Sequence, residues 1–117
     1  DPLRLDEVVV LSPKLAHELL DTGVNTGVSQ AGIFLQRALN VLNKQGGLYQ
    51  DVTADGRVGP MTLAALREYL QKRSKQNGEA ILLRAMNSLQ GAFYIELAER
   101  RQKDEDFVFG WLTNRVS

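Results

Sequence analysis

Fourteen acidic side chains, one histidine and no cysteine bound the chemistry open to this 117-residue chain. A carboxylic acid can protonate a leaving group where burial keeps it neutral, often with a second carboxylate nearby. Asp21 breaks a local rule. The pattern places it in the last turn of a helix, where the dipole disfavours negative charge by about 0.3–1 kcal/mol. Asp21, Asn25 and Gly27 are therefore candidate substrate-binding residues. The competing reading is that Asp21 only bonds amides of the turn that follows. Glu68, Glu79, Glu96 and Glu99 lie on polar helix faces with Arg or Lys close by, the pattern of solvated carboxylates. Trp111, between Gly110 and Asn114-Arg115, has the helical spacing of a core residue. Its other role would be as a platform for a sugar ring, whose C–H face suits an aromatic plane.

Other chemistries are poorly supplied. His17 alone cannot build a zinc site without cysteine. Asp51-x-Thr53-x-Asp55-Gly56 resembles the opening of a calcium loop, but Thr62 stands at the twelfth position, where a bidentate Glu is needed. That stretch reads as a turn, with Asp55, Gly56, Gly59 and Thr62 as its structural residues. No serine lies in a nucleophile elbow, and neither Gly46-Gly47 nor Gly56-Arg57-Val58-Gly59 has the lysine of a phosphate-binding loop. Basic clusters interleaved with aromatic residues are lacking, and formal net charge is zero, which argues against a nucleic-acid partner. No cofactor is implied. No apolar run approaches the length of a membrane span.

The elements that would position these residues are helical. Ser12 caps and Pro13 opens a helix through Leu15, Ala16, Leu19 and Leu20, with Gly23 as its stop. Ser29 can cap the next, whose Ala31, Phe34, Leu35, Ala38, Leu39 and Leu42 follow the i, i+3, i+4, i+7 template until Gly46-Gly47. Residues 48–59 form a polar loop, with Leu48, Tyr49 and Val52 suited to a short extended piece or hairpin. Pro60 opens a third helix that faces Leu63, Leu66, Tyr69 and Leu70 inward. A polar breaker over Arg73–Gly78 follows, with Asn77 as a cap. Apolar residues at 82, 85, 86, 89, 92, 93 and 97 predict one long helix, in which Gly91 marks close packing or a kink. Asp104 can cap a last helix carrying Phe107, Val108, Trp111 and Leu112. The expectation is one all-α domain of about five helices with a hydrophobic share of 44%, ordinary for a globular protein.

Three pieces stand in order along the chain: Asp21-Thr-Gly-Val-Asn25-Thr-Gly27 with Phe34-Leu35-Gln36-x-x-Leu39 after it; Asp55-Gly56-x-x-Gly59-Pro60-x-Thr62-x-x-Ala65-Leu66; and Phe109-Gly110-Trp111-Leu112-x-Asn114-Arg115-Val116. This series resembles the family 108 glycoside hydrolases, lysozyme-like proteins of bacteria and phages, some of them described as secretion activators. From about Phe34 onward the chain looks like their predicted peptidoglycan-binding domain. The resemblance implies a lysozyme-like helical fold, peptidoglycan as partner, and hydrolysis between N-acetylmuramic acid and N-acetylglucosamine. The family's catalytic acid is a glutamate in a Glu-Gly-Gly motif, which would lie upstream of Asp1. Gln45-Gly46-Gly47 does not replace it, because Gln cannot donate that proton. The family more often has Phe where Leu20 precedes Asp21.

On this reading the chain is the C-terminal part of a muramidase, with 1–28 the tail of the catalytic lobe and 29–117 the peptidoglycan-binding domain. It would work at the cell envelope or periplasm, or as part of a phage lysin reaching the wall. A stand-alone peptidoglycan-binding module and a helical protein-interaction domain are the alternatives.

Overall fold

The computed structural model describes residues 2–115, apart from the side chains of Lys75 and Arg115. Asp1, Val116 of the C-terminal motif and Ser117 lie outside the described residues. Within these bounds the fold is all-α: α1 (Leu5–Leu11), α2 (Pro13–Thr26), α3 (Val28–Val41), α4 (Pro60–Lys72), α5 (Lys75–Arg100) and α6 (Glu105–Arg115), with a single 3-10 turn at Gln102–Asp104. One helix, α1, is additional to the expected set. Its Val8-Val9-Val10 run is a poor helix former, no side chain caps it, and Arg4 before it is left-handed at φ 45°. Tertiary contact holds it instead, through fully buried Val8 and the neighbouring Leu3, Leu5 and Leu11.

The start of α2 is as the sequence predicts: Ser12 Oγ accepts the Leu15 amide at 3.1 Å ahead of Pro13. The same hydroxyl donates to Glu79 of α5, so Glu79 is not merely a solvated carboxylate. Its charge stands at the positive end of α2, which favours it. The expected stop at Gly23 is wrong. The helix runs on to Thr26, and the chain turns at Gly27, whose φ is +102°. Gly27 serves both helices: its N–H donates to Gly23 O, and its C=O accepts from Ala31 N. It also begins α3, so Ser29 is not the cap expected there.

Helix α3 ends at Val41, earlier than the double glycine suggested. A tight reversal follows, with Lys44, Gln45 and Gly46 all at positive φ. The loop 48–59 is no hairpin, and no strand forms among the described residues. Its backbone pairs with side-chain amides of the preceding helix. Asn40 donates to Val52 O and accepts from Val52 N, both at 2.8 Å, as a neighbouring strand would. Asn43 donates to Tyr49 O at 2.6 Å and accepts from Tyr49 N at 2.9 Å. Tyr49, Val52 and Val58 are thereby turned into the core.

Pro60 opens α4 as expected, with Leu63, Leu66, Tyr69 and Leu70 buried. The break before α5 is shorter than predicted, only Arg73-Ser74. Gly78 lies inside the first turns of α5, where a Cβ would stand 2.8 Å from Arg73 Cβ. Tyr69 Oη donates to Gly78 O at 2.7 Å, fastening α4 to α5 at this crossing. At ~1.5 Å per residue the 26-residue α5 is about 39 Å long, close to the molecule's 41 Å long axis. It packs on α2, α3, α4 and α6 and is the spine of the fold.

Two apolar clusters meet along this spine. The larger runs from Leu3 to Met86 and includes Phe34, Leu35, Leu39 and Leu66, each at 1% exposure or less. Each such side chain contributes roughly 1.5–3 kcal/mol on leaving water. The smaller holds Tyr94, Val108 and Trp111. Phe93 joins them, edge-on to Phe34 and to Tyr94, with both centroid distances 5.9 Å.

Candidate functional site

Two regions collect the residues singled out by sequence. The first lies where the end of α2 approaches α6. Asn25, Asp106, Phe107, Gly110, Trp111 and Asn114 line a groove of about 390 Å³ there. Helix α6 supplies five of the six at spacings of three and four, which puts them on one face. Phe107 is 46% exposed, whereas Trp111 is 6% exposed. Trp111 packs edge-on against Tyr94 at 5.0 Å, and its six-membered ring lies over Gly91, 3.4 Å from where a Cβ there would stand. Helix α5 is unbroken at Gly91, and a Cβ there would meet Trp111 at ordinary contact distance, so the position does not require glycine. The open aromatic surface of the groove is Phe107, itself edge-on to Tyr94 at 5.0 Å.

Behind the groove lies a polar relay that sequence reading missed. Gln90, fully buried on α5, donates to Glu18 of α2 at 3.0 Å. It accepts weakly from Tyr94 Oη at 3.4 Å. Burial pushes the Tyr94 phenol up to about 12, a hydrogen bond with the Asn25 side chain opposes this, and the Glu18 charge adds to it. Tyr94 is therefore a neutral hydroxyl across the physiological range. The signal available in sequence was the spacing of Glu18, Asp21 and Asn25 on one stripe of α2. It lacked force without knowledge of Gln90 and Tyr94 opposite.

Asp21 occupies this stripe, half-buried between Glu18 and Asn25. Because α2 continues to Thr26, Asp21 is a full turn short of the helix end. The unfavourable dipole that drew attention to it acts mainly in the last turn, so that argument loses its footing.

The second region is the Asp55–Thr62 loop, organised by buried Gln36 of α3. Gln36 Nε2 donates to Asp55 Oδ1 at 3.1 Å, Arg57 O at 2.8 Å and Thr62 Oγ1 at 3.1 Å, while its Oε1 accepts the Gly56 amide at 2.8 Å. Asp55 Oδ1 also accepts the Arg57 amide at 2.9 Å, an Asx turn. That backbone bond, then Gln36, holds the exposed Asp55 carboxyl below its ordinary value. Gly56 has φ +85°, and a Cβ there would stand 2.6 Å from Ser29 Oγ. Gly59 precedes Pro60 and has no close neighbour at its Cβ position. No group of three or more potential metal ligands occurs among the described residues.

An all-α scaffold, a loop fastened from beneath by one glutamine, and a groove with one open aromatic ring between amides are features of a small ligand-binding domain. Over residues 30–116 the sequence matches the family described as Predicted Peptidoglycan domain, and the chain belongs to that family. No curated protein matches it. The match begins in the first turn of α3. It includes the Gln36-centred loop and Trp111, while Asp21, Asn25 and Gly27 precede it.

Proposed function

We propose that the chain binds peptidoglycan by seating the glycan strand in the α2–α6 groove. The observation that carries this reading is the family match, and the groove supplies the chemistry. Sugar rings offer alternating hydroxyls and apolar C–H faces. Asn25 and Asn114 present amides that donate and accept, and Phe107 presents a ring face. Asn114 Nδ2 donates to Gly110 O at 3.0 Å, leaving its carbonyl oxygen directed by a fixed amide. Trp111 would bound the groove floor, Asp21 would orient Asn25 from the same stripe of α2, and Gly27 would fix where that stripe ends.

The finer proposal is that this module is the C-terminal part of an N-acetylmuramidase of the family 108 glycoside hydrolase type. Residues 1–28 would then be the tail of a catalytic lobe that supplies the Glu-Gly-Gly acid, and the working place would be the bacterial cell wall. No cofactor enters this mechanism: the acid would protonate the glycosidic oxygen, and a water oriented and activated in the cleft would add to the sugar carbon as that bond breaks. A second reading, a helical protein-interaction domain, draws on a different feature. Ile95, Val108, Phe109 and Leu112 line an apolar groove between α5 and α6, with Phe109 77% exposed.

Co-sedimentation with insoluble peptidoglycan tests the main reading. The wild-type chain is expected in the pellet, and Phe107→Ala with Asn114→Ala, still folded by circular dichroism at the assay temperature, is expected in the supernatant. Failure of the folded wild type to sediment overturns it. The muramidase proposal predicts that the chain alone does not clear a suspension of purified peptidoglycan. Clearing that a carboxylate mutation within the chain abolishes would locate the acid here instead.

A further inference from the structure

The glycan groove has one acid, Asp106, and no cation among its lining residues. It suits neutral sugar and repels the carboxylates of peptidoglycan's peptide arms. A separate cleft has the opposite character. Pro2, Arg4, Arg57, Val58 and Gly59 line a cavity of about 380 Å³.

Its two arginines are 53 positions apart in sequence and are brought together by backbone. Val58 N–H donates to Pro2 O at 2.8 Å, pairing the N-terminal segment with the Asp55–Thr62 loop. Arg57 is held by its own main chain: its N–H reaches Asp55 Oδ1 and its C=O accepts from Gln36. The Arg57 side chain is exposed and makes no ion pair or hydrogen bond among the described residues. Arg4 stands at φ 45°, a left-handed conformation that costs a side chain about 1 kcal/mol or more and needs a compensating reason. Its ion-pair partner among the described residues, Glu7, is 3.5 Å away across a half-exposed pair, weak enough to yield to a better acceptor. Asp55 is also near Arg57, whose charge helps to hold its carboxyl below the ordinary value, and its Oδ1 is already shared between two donors.

We infer that the Arg4–Arg57 cleft binds the terminal carboxylate of a peptidoglycan peptide arm. The inference rests on the peptidoglycan reading above and assigns the polymer's anionic part a site distinct from its sugars. Guanidinium groups pair with carboxylates through two parallel hydrogen bonds, and two of them flanking one cleft fix both position and direction. The occupant follows from charge complementarity: the cleft supplies cations that the glycan groove lacks.

The probes are a stem tetrapeptide ending in D-alanine, its C-terminal amide, and inorganic phosphate, titrated into the full chain by calorimetry at low salt. The free-acid peptide should bind at least about tenfold tighter than the amide. Arg57→Gln and Arg4→Asn should each remove that preference. Asn is chosen at position 4 because it tolerates left-handed backbone, and melting curves would show that both variants fold. Equal binding of acid and amide overturns the proposal, as does a preference that survives both substitutions. So does phosphate binding as tightly as the free-acid peptide, which would mean an unselective anion site. Sedimentation with insoluble peptidoglycan keeps the two readings apart. A wild type that pellets but ignores the peptide carboxylate sinks only this inference.

Discussion

At the scale of single residues, two glycines and a glutamine control the Asp55–Thr62 loop. A Cβ on Gly32 would stand 2.2 Å from Gly56 O, and one on Gly56 would stand 2.7 Å from Ser29 O. Helix α3 and the loop are thus in backbone contact that only glycine permits. Gly56→Ala should cost about 1–3 kcal/mol in denaturant unfolding, from positive φ and steric conflict together. Gly32→Ala should cost more, although Ala ordinarily favours a helix by roughly 1 kcal/mol, because the atom it meets is a backbone carbonyl. A stabilised Gly32→Ala variant would show that the loop can lift away freely. Gln36→Leu should cost about 2–4 kcal/mol, since it strands the Gly56 amide and Arg57 carbonyl in a buried place. Peptidoglycan sedimentation by these variants, measured well below their melting points, should persist. Its loss without loss of stability would make the loop part of the glycan surface.

At the scale of elements, α3 works as a substitute strand. Its Gln36 and Asn40, with Asn43 just beyond its end, lie at spacings of four and three and fasten the loop along its length. Asn40→Ala should speed hydrogen exchange at the Val52 amide and cost about 1–2 kcal/mol. Unchanged protection there would mean that burial of Val52 suffices. This arrangement also explains what the sequence discloses and what it withholds. The inward apolar stripes of α3 and α4, the Ser12-Pro13 start and the positive φ of Gly56 are local properties, readable from spacing and residue type. The end of α2 depends on which glycine takes the left-handed turn, and Gly23 and Gly27 look alike in sequence, while α3 ends ahead of a reversal in which Lys44 and Gln45 take positive φ before any glycine does. Helix α1 was illegible because its own sequence disfavours it and only packing holds it. In the candidate site, Trp111 and Asn25 stood out from their types, while Gln90, Tyr94 and Phe107 gained meaning only once α5 and α6 were placed beside α2.

At the scale of the whole molecule, three buried tyrosines make alkaline stability a property of the fold. Burial raises Tyr49, Tyr69 and Tyr94 above their usual value of 10.0, with Tyr94 reaching about 12. Folding therefore favours the protonated phenol. Its contribution is whole below pH 10, where the unfolded chain is also protonated, and is lost as pH rises toward 12. Unfolding free energy should fall steeply between these limits. Tyr94→Phe should flatten part of that decline, and an unchanged slope would place the sensitivity in the other two.

The separation of the two apolar clusters also bears on how the molecule comes apart. The chain's one tryptophan lies in the smaller cluster, 5.0 Å from the Tyr94 ring and outside the cluster that runs from Leu3 to Met86. Its emission therefore senses the seam between α5 and α6, whereas circular dichroism senses helices throughout. A seam closed mainly by Val108, Trp111 and Tyr94 has less apolar surface to give up than the rest, and local opening follows the least buried contacts. In a urea series the emission maximum should shift to the red at lower denaturant than the loss of ellipticity. The native protein would then visit a state with α6 released and the α2–α6 groove dismantled, while its main core stays closed.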